Sequence, residues 1–231
     1  MTPLALAGLV GYFVAAYLLG SVPFGYLLGR VKGVDIRSAG SRNIGATNCW
    51  RVCGWQCGLT AFVLDVAKGF APTYLAWWMT RTCPLYDSAA LGEAARHGIV
   101  IAAGAAAIAG HVLPVFLRFR GGKAVATSLG VVLGIPALMP IAAGAFAVWL
   151  LVFALTRYVS VASTVAALAL LAGTLTVDAA GLRIDMAGPW RERWPLTVMV
   201  LLLVALVLVR HRSNYRRLLA GTENKFGGKK G

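Results

Sequence analysis

Apolar runs of about the length of a membrane crossing occupy most of this 231-residue chain. Apolar residues make up 59% of it and charged residues 13%, about half the charged fraction usual in a soluble domain. The runs show neither the alternation of a strand nor the polar stripe of a surface helix. The sequence therefore predicts one all-α integral membrane domain over residues 1–231.

The apolar runs divide into about seven predicted transmembrane helices. The stretch 124–156 is 33 residues long, well over one crossing of a ~30 Å core, and Pro136 and Pro140 interrupt its middle. We therefore expect a hairpin of two short helices there, with partial or re-entrant insertion as the alternative. The predicted spans are 4–29, 57–80, 97–117, 124–135, 138–156, 158–178 and 194–210.

Three polar segments carry nearly all of the net charge of +14. Basic residues exceed acidic ones by four in 30–56, by three in 118–123 and by six in 210–231. The positive-inside rule places all three in the cytoplasm, which requires an extracytoplasmic N-terminus, a cytoplasmic C-terminus and an odd number of crossings. Because these charges lie beside spans and no nucleic-acid-binding pattern is present, we expect membrane lipid or anionic substrates as partners, and no nucleic acid.

The first polar segment contains SAGSRNIGATN at 38–48. Its glycines permit tight backbone geometry, so successive N–H groups could form an anion-binding nest, and its hydroxyl and amide side chains add hydrogen bonds. The alternative is an ordinary polar loop that caps a helix beginning near Thr47. The candidate phosphate ligands of this segment are Ser41, Asn43, Gly45, Thr47, Asn48 and Arg51.

The second polar segment, RFRGGKAVAT at 118–127, places Gly121, Gly122 and Lys123 directly before a helix predicted to start near Ala124. A phosphate at that N-terminus would meet N–H groups, the positive end of the helix dipole and a lysine charge. The spacing differs from that of a P-loop. The alternative is a basic turn that anchors two spans to anionic lipid.

The third polar segment contains Arg210, His211, Asn214 and Arg217 at helical spacing, so that the last three share one face. A histidine among arginines is disfavoured from protonating, which suits a neutral donor or a base. The alternative is a juxtamembrane polybasic helix bound to lipid head groups.

Three ionisable side chains are predicted to lie within spans. Asp65 and Lys68 are three residues apart in the second span, where a charged pair is costly and commonly functional, although the pair can also simply neutralise itself. His111 lies near the cytoplasmic end of the third span, where hydrogen-bonded packing is the alternative role. We expect all three to support the site.

Metal and covalent chemistry lack the residues that they need. The predicted cytoplasmic side holds only Asp35 and Glu223 as acids, with Asp65 nearby in the membrane, too few for a carboxylate-held Mg²⁺ cluster. The chain has no G-x-S-x-G elbow, and no histidine is followed by an acid five residues on. We therefore expect no metal and no cofactor. Three cysteines at helical spacing fit either a metal site or, as we expect, small packing residues: Cys49, Cys53 and Cys57.

The polar segments belong to four longer stretches: GSVPFGYLLGRVKGVDIRSAGSRNIGATN at 20–48, DVAKGF at 65–70, GHVLPVFLRFRGGKAVAT at 110–127 and RHRSNYRRLLAGTENKF at 210–226. Together these resemble the bacterial acyl-phosphate–glycerol-3-phosphate acyltransferases, the PlsY family. The resemblance implies seven membrane helices in the bacterial inner membrane and an active site at the cytoplasmic face. It also implies transfer of a fatty acyl group from acyl phosphate to glycerol 3-phosphate, giving lysophosphatidate and inorganic phosphate. This is the first acylation of phospholipid synthesis, with acyl phosphate supplied by a peripheral enzyme, PlsX.

The family's motifs can be matched to this chain residue by residue. Two positions depart from the pattern, because Arg42 and Ala124 stand where the family usually has glycine. The matched positions are Ser41, the GATN of 45–48, Arg51, the GGK of 121–123, His211 and Asn214, with Arg217 and Glu223 beyond them.

Acyl phosphate is an activated anhydride, so the resemblance implies an enzyme that mainly holds two phosphates and aligns a hydroxyl with a carbonyl. We expect a metal-independent reaction in which a substrate phosphate accepts the proton, with His211 as the competing base. A membrane transporter of organic phosphate anions is the alternative function, although its binding groups would lie near the midplane. Phosphate contacts are expected from Ser41, Arg51, Lys123, His211 and Asn214, and all of these except Arg51 are expected to act in catalysis.

Overall fold

The structure is a computed structural model that describes residues 2–84, 86, 91–180 and 190–227, with the backbone alone for 190–192. All regular structure in these ranges is helical, as predicted. Short 3₁₀ turns lie at Val115–Leu117 and Pro136–Leu138. The helices are α1 (Pro3–Ser21), α2 (Phe24–Val31), α3 (Ala46–Cys53), α4 (Trp55–Thr82), α5 (Glu93–Val112), α6 (Val125–Leu133), α7 (Met139–Thr156), α8 (Val159–Ala179) and α9 (Trp190–Leu219).

Five helical segments within the described ranges are long and apolar enough to cross a membrane. Helix α4 has 28 residues but lies outside this set, since Asp65 and Lys68 lower its mean hydropathy. Helix α6 has 9 residues and is about 14 Å long, less than half of a ~30 Å core. Seven crossings therefore stay a prediction. The five segments are Pro3–Ser21, Glu93–Leu117, Pro136–Thr156, Val159–Ala179 and Arg193–Leu219.

The predicted span over 4–29 is two helices rather than one. Pro23 has no N–H to donate, and it disfavours helical geometry in Val22, whose backbone is extended with φ −63° and ψ 117°. The chain therefore leaves α1 at Ser21 and resumes as α2. Over 124–156 the helix is likewise interrupted, with the 3₁₀ turn at Pro136–Leu138 separating α6 from α7.

One compact unit comprises Met1–Met139 with Arg183–Leu196. In this first unit α1 packs against α5, and α4 packs against α3, α5 and α6. A Cβ added to Gly20 would overlap the backbone of α5, and one added to Gly69 would overlap the carbonyl of Thr127 in α6. Such small residues permit the close backbone approach typical of membrane helices. The α4–α6 crossing thereby brings the first turn of α6 onto α4.

The second unit comprises Pro140–Leu182 with Thr197–Gly231. Tyr215 in α9 and Thr164 in α8 have hydroxyls 2.6 Å apart. Helix α9 continues through 210–219, past the predicted end of the last span, because neither proline nor glycine interrupts this part of the sequence. The first half of the third polar segment is therefore helical.

Candidate active site

The buried side chain of Asn48, which is 1% exposed, closes the loop between α2 and α3. Its Nδ2 donates to the carbonyl oxygens of Ile36 (2.8 Å), Ala39 (3.1 Å) and Asn43 (2.9 Å). Its Oδ1 accepts from the N–H of Ser41 at 2.8 Å. Because these partners are all backbone groups of the loop, Asn48 shapes the loop from within.

The N-terminus of α3 has no side-chain cap, since its N-cap residue is Gly45. The N–H of Gly45 donates to Oδ1 of Asn43 at 2.9 Å, which orders the turn into the helix. The N–H groups of Ala46 and Thr47 belong to the first turn, where no intrahelical carbonyl is available to them. Together with the helix dipole they suit an anion. Ser41, Asn43 and Thr47 are half-buried around this turn.

The same loop contains an exposed ion pair between Asp35 and Arg37 that the sequence analysis did not predict. The backbone N–H of Arg37 donates to Asp35 at 2.9 Å, and its guanidinium Nη2 does so at 2.6 Å. These hydrogen bonds lower the pKa of Asp35 to about 2. The Arg37 guanidinium also lies 4.5 Å from the ring centroid of Tyr26. Asp35 thus stays ionised and neutralises Arg37, so the excess of four positive charges over 30–56 rests on the other basic residues of that segment.

Both departures from the family pattern occupy left-handed backbone. Arg42 has a φ of 58° and Ala124 a φ of 60°. This region favours glycine, because the Cβ of an L-residue approaches the neighbouring carbonyl oxygen too closely there. Arg42 and Ala124 therefore hold, at the expense of local strain, a backbone conformation that suits glycine.

The second polar segment forms a tight loop against the end of α5. The N–H of Gly122 donates to the carbonyl of His111 at 3.1 Å. A Cβ on Gly121 would overlap the carbonyl oxygens of His111 and Val112, and a Cβ on Gly122 would overlap the imidazole of His111. Glycine is required at both positions because no larger residue fits. The loop then places Lys123 directly before α6, whose N-cap residue also lacks a side-chain hydrogen bond.

The predicted supporting residues Asp65, Lys68 and His111 form one buried polar network beside this loop. Asp65 Oδ1 and Lys68 Nζ are 2.7 Å apart, with side chains 3% and 1% exposed. Lys68 also donates to the carbonyl oxygen of Val22 at 2.8 Å, in the break between α1 and α2. On the other side, Nδ1 of His111 lies 3.7 Å from Asp65 Oδ1 and 3.2 Å from Thr127 Oγ1. The network therefore joins the break between α1 and α2 to the first turn of α6.

The third polar segment is organised by Glu223. Its carboxylate accepts from Nδ2 of Asn214 at 2.5 Å and from Nε of Arg217 at 2.7 Å. His211 is 1% exposed, and its Nδ1 lies 2.9 Å from the carbonyl oxygen of Val207. A carbonyl can only accept, so Nδ1 carries the proton, and a neutral imidazole has its lone pair on Nε2.

The cysteines of α3 and α4 lie in an apolar cluster. Cys49 and Cys57 are buried with Ile36 and Ala61, and Cys53 packs against them. Burial raises the pKa of Cys49 to about 12. Among the residues that the structure describes, no group of three or more His, Cys, Asp or Glu side chains is arranged to hold a metal ion.

The predicted residues thus fall into two described groups. The first unit contains the loops of the first two motifs and the buried network between them. The second unit contains Arg210, His211, Asn214, Arg217 and Glu223. Sequence reasoning did not select Thr127 as a site residue, although a threonine in the first helical turn after a glycine loop was an available signal.

The fold and these loops define an integral membrane protein with helix N-termini and cationic side chains suited to phosphorylated ligands. Residues 10–221 match the family model described as glycerol-3-phosphate acyltransferase. The chain belongs to this family, and the predicted PlsY-type acyltransferase is confirmed.

Other glycerol-3-phosphate acyltransferases are similar to this chain over nearly its whole length. A glycerol-3-phosphate acyltransferase of Desulforudis audaxviator is 44% identical over 234 residues, covering 100% of both chains. One of Trichlorobacter lovleyi is 40% identical over 217 residues, covering 93% of this chain and 96% of the relative. Among solved structures, PlsY (YgiH), an integral membrane glycerol 3-phosphate acyltransferase, is similar in its glycerol 3-phosphate form. It has a TM-score of 0.75 and 36% identity, and the match covers 95% of this chain and 96% of that one. Its lysophosphatidic acid form has a TM-score of 0.74 at the same identity and coverage.

Proposed function

We propose that this chain transfers a fatty acyl group from acyl phosphate to glycerol 3-phosphate, giving lysophosphatidate and inorganic phosphate. The reaction is the first acylation of phospholipid synthesis, and a PlsX-type peripheral enzyme supplies the acyl phosphate. The related structures were solved in glycerol 3-phosphate and lysophosphatidic acid forms. Lysophosphatidic acid is glycerol 3-phosphate with one acyl group added.

The observation that carries the proposal is that the first unit contains two helix N-termini shaped by glycine loops, those of α3 and α6. Each provides first-turn N–H groups. Lys123 adjoins the N-cap residue of α6, whereas Arg51 lies in the last turn of the 8-residue helix α3. The reaction must hold two phosphorylated substrates together, and N–H groups with cations are the groups that do so. A protein that only binds lipid head groups would need the charge without this backbone geometry.

The proposed step forms a bond between the glycerol hydroxyl oxygen and the acyl carbon. The bond from that carbon to the phosphate oxygen breaks, and phosphate leaves with the electron pair. Because the anhydride is already activated, holding the reactants in place supplies most of the barrier reduction, about 7–11 kcal/mol. Phosphate contacts come from Ser41, Asn43, Gly45, Thr47, Arg51, Gly121, Gly122, Lys123, Arg210, His211, Asn214 and Arg217, while Asn48 acts by shaping its loop.

The hydroxyl proton passes to an oxygen of a substrate phosphate, with Nε2 of His211 as the rival acceptor. His211→Gln distinguishes the two, because glutamine keeps an N–H donor and cannot act as a base. Under the substrate-assisted scheme this variant raises KM and keeps most of kcat. Unchanged phosphate affinities with kcat abolished would assign the base to His211.

The reaction is proposed to need no metal ion, because the site draws on cations and N–H groups for charge stabilisation. Turnover should be unchanged after the protein is purified in EDTA and assayed with EDTA present. A loss of activity that Mg²⁺ restores would refute this part of the proposal.

We further propose seven crossings in the bacterial inner membrane, with the N-terminus extracytoplasmic and the site at the cytoplasmic face. The three basic segments support this orientation through the positive-inside rule. Single cysteines at Thr2 and Asn224 of a cysteine-free variant test it with a membrane-impermeant maleimide. In intact spheroplasts the first should react and the second should not; the opposite pattern would invert the topology.

The central experiment measures phosphate release by the purified protein in lipid, from palmitoyl phosphate with and without glycerol 3-phosphate. Release should depend on glycerol 3-phosphate and should fail in Lys123→Ala. Turnover with acyl-CoA and none with acyl phosphate would refute acyl phosphate as the acyl donor. Binding of both substrates without any turnover would favour a transporter of organic phosphates.

A further inference from the structure

We propose that His111 and Thr127 are positioning residues that hold the Gly121–Lys123 loop in its phosphate-binding conformation. This inference deepens the proposed function and rests on it. Neither side chain is assigned to touch substrate, and both act through the backbone of the loop.

The imidazole of His111 forms the surface on which the loop lies. The loop returns to the end of α5 through the 3.1 Å hydrogen bond from the N–H of Gly122 to the His111 carbonyl. A Cβ at Gly122 would meet the imidazole ring itself. A change in the ring's tilt therefore displaces Gly122, and with it the adjacent Lys123.

The tilt of this ring is set from its far side. Nδ1 of His111 lies 3.2 Å from Oγ1 of Thr127 and 3.7 Å from Oδ1 of Asp65. Thr127 is 0% exposed and Asp65 is 2% exposed, so neither group can exchange its partner for bulk water. The Asp65 carboxylate is fixed in turn by Lys68 at 2.7 Å.

Thr127 also belongs to the helix that the loop begins. It lies in the first turn of α6, and its backbone is pressed against α4, where a Cβ on Gly69 would overlap the Thr127 carbonyl. The loop is therefore held at both ends. Gly122 is bound to the backbone of His111, and the helix that follows is bound to the ring of His111 through Thr127.

Two substitutions of Thr127 separate positioning from packing. Thr127→Val keeps the shape and removes the hydroxyl, while Thr127→Ser keeps the hydroxyl and removes a methyl group. If Thr127 positions the loop, Thr127→Val has the larger effect on KM. If Thr127 only fills space, Thr127→Ser has the larger effect. Thr174→Val is the matched control, because Thr174 is also buried and its hydroxyl binds a carbonyl one turn back (2.8 Å) in α8.

The experiment measures kcat and KM for both substrates, with Gly122→Ala as the reference for a displaced loop. Thr127→Val should raise KM about 2- to 10-fold for the substrate whose KM rises in Gly122→Ala, the usual effect of losing one hydrogen bond. Thr127→Ser and Thr174→Val should stay near the wild type. Thermal unfolding in detergent, measured for every variant, reports any general loss of packing.

A larger defect in Thr127→Ser than in Thr127→Val would overturn the inference, as would a lower melting temperature with unchanged KM. If Thr127→Val does not fold, His111→Asn replaces it, since the amide can still bind Thr127 but lacks the ring that supports Gly122. The same KM signature is then expected, and a wild-type KM would refute the proposal. Failure of the proposed function is distinct, because the wild-type protein itself would then release no phosphate.

Discussion

Replacing Asn48 by alanine removes the side chain that holds the loop before α3 closed. The Nδ2 of its amide donates to three backbone carbonyls, those of Ile36, Ala39 and Asn43, and its Oδ1 accepts from the N–H of Ser41. The four distances are 2.8–3.1 Å. Since Nδ2 has two hydrogens for three carbonyls, we count the donor side as two hydrogen bonds and the acceptor side as one.

Three hydrogen bonds at about 0.5–1.5 kcal/mol each amount to about 1.5–4.5 kcal/mol of loop-ordering free energy. If the closed loop is the binding-competent state, this loss lowers its population and reduces kcat/KM by up to about 10- to 2,000-fold. Global unfolding should change less, because the packing of α1 on α5 and of α4 on α6 lies outside this loop. Asn48→Asp should be at least as damaging, since it sets a carboxylate against three carbonyl oxygens.

The assay is phosphate release from palmitoyl phosphate in the presence of glycerol 3-phosphate, with thermal unfolding of the same samples. Asn224→Ala is the control, because it makes the same chemical change at an exposed position. A variant at Asn48 with wild-type kcat/KM would refute the role of this amide. So would a large fall in the melting temperature, which would show that the loop supports the whole unit.

Three further predictions concern other residues of the loops and the tail. Ala124→Gly should raise the free energy of unfolding by about 0.5–1 kcal/mol, because the φ of 60° strains alanine more than glycine; an unchanged or lower thermal midpoint would contradict this. Glu223→Gln should lower the stability by about 1–3 kcal/mol, because Arg217 loses its charged acceptor, and equal denaturation curves for variant and wild type would speak against it. Asp35 has its pKa lowered to about 2 by Arg37, so its stabilising contribution is complete above its ordinary pKa of 3.8 and is lost as the pH falls toward 2. The difference in melting temperature between wild type and Asp35→Asn should therefore be present at neutral pH and vanish in acid, and a difference independent of pH would exclude the carboxylate as its source.

Several features of the fold could be predicted from the chain alone. Long apolar runs indicate membrane helices because lipid offers no partner for backbone polar groups. Pro136 was recognised as a break because its effect is local. The break at Pro23 was missed because the apolar run continues across it, and hydropathy carries no information about a missing N–H.

The candidate site was predictable in its residue types and less so in its contacts. The glycine loop at Gly121 and Gly122 stands out in an apolar chain, and so does the pair Asp65 and Lys68, because each is out of place there unless it has a function. The partner of Lys68 at the Val22 carbonyl was not predictable, since it lies 46 positions away in the chain.

The sequence by itself determined the membrane class, the three phosphate-suited segments and the family, because these depend on residue type and on order along the chain. Only the tertiary structure decided that Asn48 binds its own loop and that His111 meets Thr127 and Asp65. Such pairings depend on which groups come within about 3 Å once helices have packed, and that distance is set by small residues such as Gly69 at the crossings. The order of residues along the chain does not by itself give the distance between two such groups.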